Sequence, residues 1–237
     1  MHYTETRPPG DKRSRGAARL SFVLRCLLLL PLGVSVLWAD THVDQLIREV
    51  EARYNSAHTL QVQFSEEFTA GGRKRPPESG TLMLQKAGKM RWEYAQPAGK
   101  LFILDGKEIY LYTASDNRVE KMPLKSTEDM RAPLAFLLGR LDLKKEFRNF
   151  RVRSAPDGEW LDAEAKSERV PYESISLRLE GDGTIRTVRI GGRDGSVMTF
   201  EFNHEILNPR LDAKLFRFVP PPGAEIVDSV NFAAEGK

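Results

Sequence analysis

The chain has 237 residues, 41% of them apolar and 29% charged, which is enough apolar content for a filled core and too much for a disordered chain. Its formal charge of +3 sits at the start: residues 1–39 hold six of the 36 basic residues and two of the 33 acidic ones, leaving 30 against 31 beyond them. A net charge near −1 over residues 40–237 is no footprint for nucleic acid, and the single cysteine, Cys26, lies in the basic leader, so disulfide and thiolate chemistry are excluded from the remainder.

The leader reads as an export signal. Arg7, Lys12, Arg13, Arg15, Arg19 and Arg25 precede an apolar run, Cys26–Trp38, that closes on Ala39. A basic region, a short apolar stretch and a small final residue make a secretory signal peptide. A membrane-spanning helix takes roughly 20 apolar residues, and this run is shorter and contains Pro31. We therefore expect residues 1–39 to be a cleavable signal peptide and residues 40–237 to be one exported domain. Cys26 follows Arg25 and precedes the apolar run, which is the wrong place for a lipid-modified cysteine.

Thr41–Tyr54 has Val43, Leu46, Ile47, Val50 and Tyr54 at helical spacing, with Thr41 and Asp44 as a cap-like start. The period then changes to two: Leu60, Val62, Phe64 and Phe68 alternate with polar residues, as in a half-buried strand. Residues 71–77 form a charged turn rich in Gly and Pro. Strands are predicted at 80–85, 90–94, 101–104, 108–112 and 118–122. Pro133–Arg140 (PLAFLLGR) is short, apolar and helical in composition, and Asp142–Phe147 reads as a second helical turn. Strands resume at 150–154, 160–165, 173–180, 185–190 and 197–206. Leu211–Phe216 is expected as a turn or short helix, Phe216–Pro222 as the end of the sheet, and 229–237 as a tail. Asp105, Asp157, Asp182 and Asp194 are each followed by Gly between strand-like runs, the strongest local hairpin signal.

The chemistry points away from catalysis. His42, His58 and His204 are scattered, and no HExxH, CxxC or GxSxG appears. Glu66 and Glu67 are adjacent on a strand and so face opposite ways. Gly191-Gly192 is followed by a hairpin signal rather than a helix, which rules against a phosphate loop. No cofactor or metal is expected.

What the chain offers instead is apolar surface. In Leu101–Leu104 and Ile109–Tyr112 apolar residues occupy both parities, whereas a sheet with one wet face alternates. Either both faces are covered, or one lines a cavity. For any single residue, core packed against the N-terminal helix explains the pattern; for the set, a concave sheet under the short apolar helix suits a hydrophobic ligand.

The order of these segments carries a resemblance: an export signal, an amphipathic helix, LQVQFSEEF, GTLMLQKAGKMRWEYAQP, DGKEIYLY, PLAFLLG and a late FRFVPPPGAEIVD. It resembles the LolA family of periplasmic lipoprotein carriers from about Val43 to Asp228. The segments above count to about 10–12 strands, and the resemblance implies that they form a mainly β fold with some α: a strongly bent, incomplete antiparallel β-barrel, closed by the N-terminal helix and a short helical lid. It implies a periplasmic monomer that shields lipoprotein acyl chains, receives them from an inner-membrane ABC exporter (LolCDE-like) and delivers them to an outer-membrane acceptor (LolB-like). The wall would comprise Phe64, Leu82, Leu84, Met90, Trp92, Tyr94, Leu104 and Tyr110, and the lid Leu134, Phe136 and Leu137. The family's lid-holding arginine corresponds here to Lys86, which lacks the planar two-pronged donor, and the proline after it to Ala87. Two other readings use the same fold: a lipid- or lipoprotein-sensing regulatory module, and a carrier of another lipid.

Overall fold

The computed structural model describes residues 34–86, 88–124 and 141–228, with side chains from residue 41 onward. The apolar insert Pro133–Arg140, Ala87, most of the leader and the tail 229–237 lie outside the described residues. The chain divides into units 1–38 and 39–237. Only the start of a helix is described in the first, and everything below concerns the second.

Among the described residues thirteen strands form one mixed sheet. They are β1 (Thr59–Ala70), β2 (Arg73–Lys74), β3 (Glu78–Gln85), β4 (Lys89–Gln96), β5 (Lys100–Leu104), β6 (Glu108–Thr113), β7 (Arg118–Pro123), β8 (Phe147–Ala155), β9 (Gly158–Ala165), β10 (Tyr172–Leu179), β11 (Ile185–Gly192), β12 (Val197–Leu207) and β13 (Glu225–Asp228). Their order is β13-β7-β6-β5-β4-β3-β1-β12-β11-β10-β9-β8, with β2 folded back on β1, so the curled sheet is left unclosed. Helices α1 (Val34–Ser56) and α2 (Leu143–Glu146) and a 3-10 turn at Ala213–Phe216 complete the described structure.

Local chemistry accounts for the connections. All four Asp-Gly pairs fall at hairpins, and Gly106, Gly158, Gly183 and Gly195 all have positive φ, the conformation that glycine adopts without steric cost. Gly183 has a second reason to be glycine, since a Cβ there would lie 3.0 Å from the Glu49 backbone on α1.

The structure departs from expectation in three places. Within the described residues α1 already runs from Val34, because nothing from Val34 to Ser56 breaks a helix. Thr41 and Asp44 are therefore interior rather than capping, and Asp44 instead pairs with Lys144 at 2.6 Å. The strand count exceeds the expected 10–12 through two short additions, β2 and β13. And β13 pairs parallel to β7, Glu225 opposite Arg118 through Asp228 opposite Lys121. The sheet does not end at Pro222: the chain crosses its outer surface after β12 and reaches the β7 edge running in the same direction.

That crossing explains the apolar residues of both parities. Residues 213–218 cover the outer face of β4–β7. Phe216 is buried, Phe218 stacks on Tyr110 at 5.0 Å, and Arg91 donates to the Leu215 carbonyl at 3.1 Å. Beneath this strap Ile103 and Val119 are fully buried. The inner face buries Leu46, Ile47, Val50 and Tyr54 of α1.

Candidate functional site

Directly paired residues of an antiparallel sheet point to the same face, so register alone assembles the inner surface. One row runs Leu60, Leu84, Met90, Leu104, Ile109, Met122 across β1, β3, β4, β5, β6 and β7. The next runs Val62, Leu82, Trp92, Phe102, Leu111. A third places Phe64 opposite Gly80, and Gly80 opposite Tyr94. Across β1 the face continues through Phe202 beside Phe64, and through Phe200, Val188, Leu177 and Leu161.

An aromatic cluster sits at the middle. Phe64 meets Trp92 edge-on at 4.6 Å and Tyr94 at 5.2 Å, and Trp92 meets Phe200 at 5.4 Å. Edge-on pairs place the positive ring edge against the negative face, a preference beyond area burial. The indole N–H of Trp92 donates to the Met90 sulfur at 2.8 Å, so the fully buried Trp92 keeps a partner.

Of the residues singled out in the sequence, Phe64, Leu82, Leu84, Met90, Trp92, Tyr94 and Leu104 stand together on this face, all buried. Tyr110 does not: it pairs with Ile103 and Lys121 and lies on the outer face under Phe218. Leu134, Phe136 and Leu137 lie outside the described residues. Sequence reasoning omitted Phe102, Ile109, Phe200 and Phe202, although the alternation Met198, Phe200, Phe202 in β12 was open to view.

Lys86 follows the end of β3 and reaches α1. Its ammonium donates to the Asn55 carbonyl at 2.8 Å, where a cation complements the negative end of the helix. Burial lowers the Lys86 pKa below the usual lysine range. Asn55 in turn holds Leu141 by both backbone groups, accepting from its N–H at 2.7 Å and donating to its carbonyl at 2.9 Å. Glu51 accepts from the Leu143 N–H at 2.8 Å. The sequence carried no sign of these contacts, because the partners lie far apart in the chain.

A polar cluster pins the helix to the other half of the sheet. The Tyr54 hydroxyl donates to Glu205 at 2.7 Å and accepts from the Ile185 N–H at 3.0 Å. Burial, reinforced by the Glu205 carboxylate, pushes the Tyr54 hydroxyl well above its ordinary range. Arg53 bonds the same carboxylate at 2.7 Å and Asp182 at 3.1 Å. These groups border a polar groove of about 650 Å³ with Arg178, Glu180 and Arg186, outside the apolar face.

The inner face is packed together with Leu46, Ile47, Val50 and Tyr54 of α1 in one apolar cluster. No helix among the described residues is long and apolar enough to cross a membrane.

Residues 55–219 match the family model described as outer membrane lipoprotein carrier protein LolA. The chain is 31% identical over 208 residues to an outer-membrane lipoprotein carrier protein from Dechloromonas aromatica, covering 85% of this chain and 93% of that protein. It is 28% identical to another so named from Nitrosomonas europaea, covering 88% of this chain and 98% of that protein. A crystal structure of a LolA superfamily protein from Nitrosomonas europaea aligns with 74% of this chain and 97% of its own, at 10% identity and a TM-score of 0.43.

Proposed function

The chain belongs to the LolA family of outer-membrane lipoprotein carrier proteins, and on that premise we propose that its inner sheet face binds the acyl chains of lipoproteins during their passage across the periplasm. In this reading residues 1–39 are a cleaved export signal. Residues 40–237 act as a monomer, by binding rather than by catalysis. Cargo arrives from an inner-membrane ABC exporter of the LolCDE kind and leaves to an outer-membrane acceptor of the LolB kind.

The observation that carries the reading is the continuous apolar row Leu60, Leu84, Met90, Leu104, Ile109 and Met122, six strands wide. Burying a methylene is worth about 0.8 kcal/mol, so a chain of ~15 methylenes gains up to roughly 12 kcal/mol against water. Part of that gain is offset, because α1 and the aromatic cluster already occupy the face and must give way. The offset serves transport: a site that bound at full strength would not release. Met90 and Met122 suit such a wall, since the unbranched thioether side chain adapts to irregular apolar shapes. Loading draws on the donor, and release on an acceptor that binds the chains better.

The test is displacement of a preloaded hydrophobic fluorophore by a triacylated lipopeptide, with the unacylated peptide as control. Displacement by the acylated form alone is expected. A folded sample that holds no fluorophore, or releases none to the lipopeptide, makes this face plain core and ends the proposal.

A further inference from the structure

The turn between β1 and β3 plays no part in the apolar face, yet it is built. Gly71 and Gly72 have positive φ, and the chain folds back so that Arg73 pairs with Ala70 and Lys74 with Thr69. The Arg75 N–H bonds the Phe68 carbonyl at 2.9 Å, and its guanidinium lies 4.4 Å over the Phe68 ring. Pro76 and Pro77 then restrict the exit. The result is three consecutive cations at the tip of an ordered hairpin, with residues 71–77 all exposed.

Little offsets this charge. Lys74 meets Glu67 at 2.8 Å with both side chains half exposed, an arrangement solvent screens heavily. Arg73 and Arg75 have no carboxylate partner among the described residues. Nor is the tip a sample of a generally basic protein, because residues 40–237 carry 30 basic and 31 acidic side chains.

From this we infer that the hairpin tip docks the protein on anionic lipid headgroups. A protruding tip lets three cations reach a plane of phosphates at once, with no need for a matching shape. A protein partner would draw most of its affinity from a buried apolar or aromatic anchor, and the tip has none: the exposed large apolar residues among those described are Leu124, Ile206, Val219 and Ile226. Phe68, the nearest ring, is covered by Arg75. The contact is electrostatic, shallow and reversible, as a protein that leaves one membrane for another requires. It does not depend on which cargo the apolar face holds.

The experiment is co-sedimentation of the purified protein with vesicles of phosphatidylcholine alone and of phosphatidylcholine with phosphatidylglycerol in equal parts. The neutral vesicles subtract the apolar contribution of segment 26–38, and the leader's six cations are common to wild type and both variants below, so the difference between the variants reports the tip. Preferential binding to the anionic vesicles is expected at low salt, with loss at high salt as the Debye length shrinks. R73Q/K74Q/R75Q is expected to weaken that preference roughly 100-fold, each cation near an anionic surface contributing a several-fold factor. A charge-matched control, K107Q/K145Q/R151Q, removes three exposed cations elsewhere and is expected to retain most of the binding. The inference is overturned if anionic vesicles are not preferred, if both triple variants lose binding equally, or if the tip variant binds anionic vesicles as wild type does. Melting curves of both variants separate these outcomes from misfolding.

Discussion

Tyr54→Phe isolates the joint between α1 and the second half of the sheet. The substitution keeps the ring, which is 5% exposed, and removes one oxygen. That oxygen donates to the Glu205 carboxylate and accepts from the Ile185 N–H. A hydrogen bond to a charged group contributes roughly 1.5–3 kcal/mol, and a buried N–H left without an acceptor costs about 1–3 kcal/mol. Arg53 still holds Glu205, so the carboxylate is not orphaned, and the combined loss is set at about 3 kcal/mol. For a domain of this size that corresponds to a fall in melting temperature of roughly 6–12 °C. Thermal unfolding followed by circular dichroism at neutral pH is the assay. Alkaline pH adds a second readout. The folded-state pKa of Tyr54 is raised above the unfolded value, so its contribution is complete below about pH 10 and is lost as pH rises beyond that. The gap between wild type and Tyr54→Phe should therefore narrow above pH 10. A change in melting temperature too small to measure at neutral pH would refute the idea that this hydroxyl pins the helix.

Substitutions at two further positions test other joints by the same melting assay. Lys86→Ala removes the donor to the Asn55 carbonyl at the end of α1 and should cost about 1 kcal/mol, a fall of roughly 2–4 °C. Lys86→Arg retains a donor there and should melt as wild type does. Gly80→Ala places a Cβ 2.0 Å from the Glu93 carbonyl, so β3 and β4 must separate. A loss of about 3 kcal/mol or more is expected, and an unchanged melting curve would show that the two strands are not in register at this point.

The parts of the fold legible in the sequence were those whose cause is local. Leu60, Val62 and Phe64 alternate because β1 has one buried face, and the Asp-Gly pairs mark hairpins because glycine accepts positive φ. The shared face of Leu82, Leu84, Met90, Trp92 and Tyr94 follows from a period of two within β3 and β4. Tyr110 shows where that logic stops. Its position relative to Leu104 depends on how the chain turns at 105–107, and Leu104 pairs with Ile109, which sends Tyr110 to the other side. A covering for that side was legible only as an unexplained excess of apolar residues, because the strap that provides it arrives from residues 213–218. Likewise nothing near Asn55 announces Leu141, and nothing in EIVD announces a parallel partner in β7. Each of these depends on where a distant segment ends up.

The position of β1 also bears on how the chain reaches its folded state. Leu60 pairs with Leu84 on one side and with Leu207 on the other, so the first long strand to be synthesised is flanked by one of the last. The β3–β7 and β8–β12 meanders can pair locally, but only β1 joins them, and its second edge stays open until the chain beyond Leu207 is available. Contacts so far apart in sequence form slowly. A chain passed N-terminus first through a narrow pore therefore completes its sheet only after nearly all of it has emerged.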